Sequence, residues 1–345
     1  MLRRPLPAVG VVLLVLIAAA VSYAAGFGPF APARAARSVV FVAISRSTDE
    51  AAAREIEAID LAAGTRELFD VEGRITALAI APDRRTLYVA IEGARLAFLD
   101  AATGNRFATV ELGSAPATAL VVSSDGTRVY AVTAGAATNT LLAIDTVGRR
   151  FLDRAALPAG TPGWPVLRPS GLLVPVAMAI GLELVTVTLA PFGGTVSTSV
   201  GGAIGQPVAL ALSATSIAVV AFDAGGAVGG GTRVYVFDDP TVRREMTLRI
   251  PFGFGGRITG GPQAAVGPDG FIQVCATSPA TSPRYRVSPV DLAATVVGND
   301  CGLLAGGDQL LLAKRDPPQL LVLDPATGSA QRTLPLAGVP ARIVR

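Results

Sequence analysis

The side chains able to do chemistry are unevenly represented. Among 345 residues there are 26 Asp plus Glu, 29 Lys plus Arg, two cysteines and no histidine. The missing imidazole removes the commonest general base, the His-dependent triads and every metal site built on a ring nitrogen. Carboxylate, amide and guanidinium chemistry remains. Asp60, Asp100, Asp145, Asp291 and Asp324 each end an apolar phrase and run into a turn. Such groups could serve acid/base work or hold calcium, but nowhere do they take the close alternate spacing of a calcium loop. An Asp that ends a strand accepts the backbone N–H two residues on and closes an Asx-turn, so its recurrence in every unit points to turn closure.

The two cysteines, Cys275 and Cys301, form no C-x-x-C pair, which excludes a zinc or dithiol redox motif of that spacing. Gly225–Gly231 lacks the Lys-Ser/Thr of a phosphate loop. Lys314 is the only lysine, so 28 of the 29 cations are arginine, and they are scattered rather than gathered into a stripe. A net charge of +3 spread this way does not describe a nucleic-acid surface. No cofactor or metal site is expected.

These residues need elements to position them. Hydrophobic residues make up 51 % of the chain, and 38 Gly with 25 Pro favour many short strands and turns. Two phrases recur after residue 37. One is the apolar strand ending in Asp, as in Phe98-Leu99-Asp100-Ala101-Ala102-Thr103-Gly104 and Val322-Leu323-Asp324-Pro325-Ala326-Thr327-Gly328. The other is a turn followed by an alternating strand: Pro82-Asp83 before Leu87-Tyr88-Val89-Ala90, Ser124-Asp125-Gly126 before Val129-Tyr130-Ala131-Val132, and Pro268-Asp269-Gly270 before Phe271-Ile272-Gln273-Val274. The turns fall near residues 83, 125, 170, 214, 269 and 308, a period of about 40–45 with one insertion. Each unit holds about four short strands and cannot bury both faces alone. A ring of stacked copies solves that.

The copies Ala79-Ile80-Ala81-Pro82-Asp83-Arg84-Arg85-Thr86-Leu87-Tyr88-Val89 and Val121-Val122-Ser123-Ser124-Asp125-Gly126-Thr127-Arg128-Val129-Tyr130 resemble exported bacterial β-propellers of the YVTN-repeat type, related in architecture to WD40 propellers. The junctions Gly113-Ser114-Ala115-Pro116 and Gly338-Val339-Pro340 resemble that family's segments between repeats. Residues 178–231 depart from it, because they lack the Asp turn. The resemblance implies an all-β β-propeller over residues 38–345. Six turn signals and one unit split between the ends make it a seven-bladed β-propeller, with six or eight blades as the alternatives because residues 178–262 are irregular. Ser38–Ala43 and Ala341–Val344 read as strands of one shared blade, so both ends of the chain would close the ring.

Residues 1–37 read as a signal peptide or membrane anchor. Arg3 and Arg4 precede an uncharged run from Ala8 to about Phe30, with small-residue exits at Ser22-Tyr23-Ala24 or Ala33-Arg34-Ala35. That run reaches the roughly 20 apolar residues of a membrane-spanning helix. Uncleaved, residues 5–30 would hold the protein in the membrane; cleaved, the remainder would be secreted. The propeller is expected outside the cytoplasm in either case.

In a propeller, the connections between blades and the loops between second and third strands gather on one axial face, where a partner would bind. The polar or aromatic members there are Arg74, Trp164, Gln206, Arg257, Gln263, Asn299 and Asp300, and of these Arg74, Trp164, Gln206, Arg257 and Asn299 are the candidate partner-binding residues. Trp164, the sole tryptophan, would offer a flat contact face or fill a gap between blades. Cys275 and Cys301 fall on neighbouring blades and are disulfide candidates in an oxidising compartment. Together these features suggest a non-catalytic exported propeller that binds a protein, peptide or cell-envelope component. The alternative is a propeller hydrolase of the lactonase kind, with a His-free carboxylate site at the channel mouth.

Overall fold

Several strands of this chain are apolar on both faces. Val39–Ser45 is buried from its second residue to its last, Thr86–Ile91 likewise, and Gly171–Met178 through its first seven. A strand with side chains alternating between faces must then be covered on both sides. The computed structural model shows how. It describes residues 38–345 apart from 114, 136–137, 180, 201–203, 224–230, 240–241, 250–262 and 276–282. Residues 1–37, which the sequence reading takes as a signal peptide or membrane anchor, lie outside the described residues.

Seven antiparallel sheets stand around a ring. From inner to outer strand, blade 1 is Val339–Val344, Val39–Ser45, Glu55–Asp60 and Arg66–Asp70; blade 2 is Ile75–Ile80, Thr86–Ile91, Arg95–Asp100 and Arg106–Glu111. Blade 3 is Ala117–Val122, Arg128–Ala134, Asn139–Asp145 and Arg150–Leu157. Blade 4 has a broken inner strand, Thr161–Pro162 and Val166–Arg168, then Gly171–Met178, Gly181–Leu189 and Phe192–Val200. Blade 5 is Ile204–Ala211, Ile217–Asp223, Gly231–Asp239 and Val242–Arg249. Blade 6 is Ala264–Val266, Ile272–Cys275, Arg284–Val287 and Ala294–Gly298, and blade 7 is Leu303–Ala305, Leu310–Arg315, Pro318–Leu323 and Ala330–Pro335.

The hydrophobic core is divided among the seven seams between blades. In Val39–Ser45, Phe41 and Ala43 pack toward blade 2, whereas Val40, Val42 and Ile44 pack toward blade 7. Tyr88, Leu96 and Phe98 fill the next seam, and similar clusters fill the other four. Each blade therefore depends on two neighbours. The expected closure is present: Phe41 pairs with Val344, Val42 with Ile343 and Ala43 with Arg342. Chain entropy opposes a ring with loose ends, and this ladder joins the two ends in one sheet.

The carboxylate turns share one construction. Asp60, Asp100 and Asp324 each accept the N–H of the second residue on at 2.8, 3.0 and 3.0 Å, and that of the third at 3.2, 2.8 and 2.7 Å. Gly64, Gly104 and Gly328 then close each turn with φ of +73°, +71° and +70°, donating to the Asp carbonyl at 2.8 Å. A side chain at Gly104 would overlap the Phe69 ring of blade 1, so this glycine serves both conformation and seam. Hydrogen bonds hold the Asp60, Asp145, Asp291 and Asp324 carboxyls below their ordinary value, led by the Ser38 hydroxyl, the Gly148 amide, the Ser288 hydroxyl and the Thr327 amide respectively. In the turn between the first two strands of blade 3, the Ser123 hydroxyl and the Thr127 amide bring Asp125 down to about 2.

Candidate functional site

Antiparallel order places the turns just described on one axial face and the connections between blades on the other. On that second face the blade connections meet the loops joining second to third strands. Glu92 donates its N–H to the Arg74 carbonyl at 2.8 Å, Leu112 to Ala94 at 2.7 Å and Leu336 to Pro318 at 3.0 Å. The backbone thus ties these three connections to the neighbouring loops.

Arg74 sits in the connection from blade 1 to blade 2, half-buried, with Nη2 3.2 Å from Glu92 Oε1. Arg106 pairs with Glu72 beside it at 2.9 Å. Asn299 is exposed in the connection from blade 6 to blade 7. Gln206 falls within the inner strand Ile204–Ala211 rather than in the preceding connection, where the register shifts between Ile204 and Val208. Arg257 lies outside the described residues.

Trp164 occupies the break in the inner strand of blade 4. Its N–H donates to the Pro207 carbonyl at 2.9 Å, and its carbonyl accepts from Ala209 at 3.1 Å, forming a parallel bridge to Val208 of blade 5. Two inner strands that elsewhere only pass each other are here bonded backbone to backbone. Gly163 permits it, because a methyl group there would overlap the Pro207 carbonyl oxygen. The indole is half-buried and touches the apolar clusters on either side. Most of its contact is packing; the remaining surface is open to a partner.

Cys275 ends the second strand of blade 6, and Cys301 lies two residues before the inner strand of blade 7. Both are free thiols, Cys275 buried. They adjoin across the seam: the Gly302 N–H reaches Cys275 Sγ at 3.4 Å, and Cys301 Sγ donates to the Pro283 carbonyl at 3.4 Å. Burial, and then the hydrogen bond with Cys275, push the Cys301 thiol up, away from thiolate chemistry.

Sequence reasoning passed over the cation beside them. Arg284 is 1 % exposed, and its guanidinium donates to Asp300 Oδ1 at 3.0 Å and to the Gly328 carbonyl of blade 7 at 2.6 Å. Lys314 Nζ stands 3.8 Å from the other Asp300 oxygen. A buried cation needs this much compensation, and the arrangement pins blade 6 to blade 7. On the opposite side of blade 7, Glu57, also 1 % exposed, accepts the Ala337 N–H at 2.8 Å and pairs with Arg66 at 3.0 Å. Nothing in the sequence distinguishes Arg284 from the other arginines. On the inner strands, Arg342 Nε donates to the Thr76 carbonyl at 2.7 Å, and Thr76 Oγ1 donates to that of Ala117 at 2.6 Å. Among the described residues no three His, Cys, Asp or Glu side chains come together as a metal site. Nor is any helix there long and apolar enough to cross a membrane.

The ring of seven four-stranded sheets defines a seven-bladed β-propeller. Solved structures of the same architecture resemble it at low identity. A candidate 6-phosphogluconolactonase of Bacteroides uniformis matches with TM-score 0.66 and 13 % identity, over 89 % of this chain and 98 % of the other. Hydrazine synthase of Kuenenia stuttgartiensis matches with TM-score 0.63 and 14 % identity, over 82 % and 95 %. BamB of Moraxella catarrhalis matches with TM-score 0.52 and 14 % identity, over 90 % and 86 %. No known family profile and no curated protein matches the sequence. The likeness establishes the fold alone.

Proposed function

We propose that the chain is an exported, non-catalytic propeller of the YVTN-repeat type that binds a protein, peptide or cell-envelope component across the face of its blade connections. The contrast between the two axial faces carries this reading. One face repeats the Asp-closed turn from blade to blade, with carboxylates occupied by their own backbone. The other, among the described residues, carries dissimilar loops and presents Arg74 with Glu92, Asn299 and the open part of Trp164. Recognition resides where a regular scaffold carries dissimilar loops. The apolar run from Ala8 to about Phe30 behind Arg3 and Arg4 supports delivery across a membrane.

A pull-down of the full chain from cell-envelope extract tests the reading, with Arg74→Glu and Asn299→Ala on the connection face and Asp125→Ala on the opposite face. Capture lost in the first two and retained in the third supports it. Capture indifferent to face, or none at all, refutes it. The lactonase alternative draws on the likeness to the Bacteroides uniformis protein. It predicts hydrolysis of a sugar lactone, which the same preparation would show directly.

A further inference from the structure

The described chain enters the propeller on the face of the Asp-closed turns. Ser38 precedes the second strand of blade 1; its hydroxyl donates to Asp60 Oδ1 at 2.8 Å, and its carbonyl accepts the Leu61 N–H at 3.0 Å. From there the strand Val39–Ser45 runs to the connection face. At about 3.3 Å per residue, it sets the two faces about 20 Å apart at this blade. Upstream, the uncharged apolar run ends at about Phe30, which leaves residues 31–37 as the link to Ser38. Fully extended, a link of that length spans at most about 25 Å.

That reach decides which face can meet a membrane that holds residues 5–30. The Asp-turn face lies at the link's own end. To bring the connection face down instead, the link would pass outward over two strands, about 10 Å, and then along the sheet for about 20 Å, more than its length. Through the central channel, the height of the sheet alone would use nearly all of it. Exposed apolar side chains divide between the faces in the same sense. Among the described residues, the exposed large ones lie in outer strands and in turns of the Asp-turn face, and none lies in the connections or loops of the other face. The two most exposed, Val147 at 80 % and Val290 at 78 %, stand in the turns between third and fourth strands of blades 3 and 6. Hydrogen bonds shape both turns: the Val147 N–H donates to Asp145 Oδ1 at 3.0 Å, and the Val290 N–H to Ser288 Oγ at 3.3 Å. Counted in opposite directions round the ring, each is two blades from blade 1.

We propose that the Asp-turn face rests on a lipid surface at three points: the link at blade 1 and the valine tips at blades 3 and 6. The proposal rests on the exported reading above, with residues 5–30 uncleaved, and deepens it by assigning the second face. Three points fix a plane, so the ring lies flat and the connection face is turned away from the bilayer, toward its partner. Moving an exposed valine out of water into the acyl boundary is favourable. The link supplies a high effective concentration of lipid, so weak contacts suffice. Arg84, Arg85 and Arg149 stand among the turn carboxylates of this face, which presents neither sign alone, and uncharged headgroups are enough.

The test uses the full chain reconstituted in phosphatidylcholine vesicles that carry a nitroxide on a fraction of their headgroups. A fluorophore is attached at Val147→Cys or Val290→Cys, and on the opposite face at Glu92→Cys; the unsubstituted chain, labelled alike, corrects for Cys275 and Cys301. Headgroup quenching at position 147 and at position 290 should each exceed that at position 92 at least threefold. Val147→Glu combined with Val290→Glu should at least halve the quenching of a fluorophore at Ala326→Cys, in an exposed turn of blade 7, while the melting temperature stays unchanged because both valines are exposed. Equal quenching on the two faces, or strong quenching at only one of the valines, overturns the proposal. So does a double variant that is quenched as before. A chain that does not remain with the vesicles overturns it through loss of the anchor, and leaves capture on the connection face to be decided separately by the pull-down.

Discussion

Blade 1 is the one blade assembled from both ends of the chain, and Phe41 is its largest buried anchor. Phe41 is 0 % exposed, packs into the seam with blade 2 and lies opposite Val344 of the closing strand. Truncating a buried Phe to Ala costs about 3–5 kcal/mol through lost transfer energy and the cavity left behind. With a urea m-value of about 3 kcal/mol/M, the midpoint should fall by about 1–1.7 M. The sole tryptophan makes the experiment selective. Trp164 lies between blades 4 and 5, across the ring from the substitution, so its fluorescence reports a distant seam. If closure makes the seven blades one cooperative unit, Phe41→Ala shifts the tryptophan transition and the far-UV circular dichroism transition together. Leu68→Ala, at a rim position 45 % exposed, should move neither by more than a small fraction of that. A tryptophan transition that stays in place while the circular dichroism splits into two steps would refute the idea that the ends lock the ring, since unclosed repeats unfold piecewise.

Three other expectations follow from the turns and seams. Gly104→Ala and Gly126→Ala both impose a positive φ on alanine, at about 1–2 kcal/mol each. Only the first also drives a methyl group into the Phe69 ring, whereas the nearest atom at Gly126 is Pro82 Cδ at 3.5 Å, so Gly104→Ala should lower the melting temperature further; equal losses would sink the packing argument. Asp60, Asp125, Asp145, Asp291 and Asp324 all have folded pKa values below the unfolded one, so their contribution is complete above about pH 4 and disappears as pH falls toward 2. Melting at constant ionic strength should therefore decline from pH 5 to pH 2, with Asp125→Asn declining less; a flat profile contradicts the assignment. Refolding the reduced, denatured chain in a glutathione redox buffer, which gives the oxidant access to both thiols, should join Cys275 to Cys301 and raise stability by about 3.5 kcal/mol, as expected for a loop of this length. Two titratable thiols in the refolded protein would show that the seam does not let the sulfurs bond.

How far the architecture could be read in advance varies along the chain. In blades 1, 2, 3 and 7 the Asp turn and the following alternation mark strands by local chemistry alone, and the turns near 83, 125 and 308 fall where those signals stand. In blade 4 the signal fades because Gly181–Leu189 and Phe192–Val200 are joined by a turn without the Asp. There Gly163 and Pro165 announce irregular backbone, which reads as a connection between blades, whereas the structure places it as a break within the inner strand of blade 4, with Trp164 in the gap. Gln206 shows the limit at one residue: a strand boundary shifted past it, because pairing with Ile217–Asp223 extends farther than propensity suggests.

Patterning along one strand was enough to determine that both of its faces are buried, that the unit repeats about seven times, and that the recurrent Asp belongs to a turn. Those are short-range properties, written within a few residues of each other. Which seam receives Phe41, which carboxylate and carbonyl compensate Arg284, and why Trp164 bonds Val208 were decided only when distant blades met. Compensation of a buried charge and the meeting of two backbones depend on partners far away in the chain, and no local pattern encodes them.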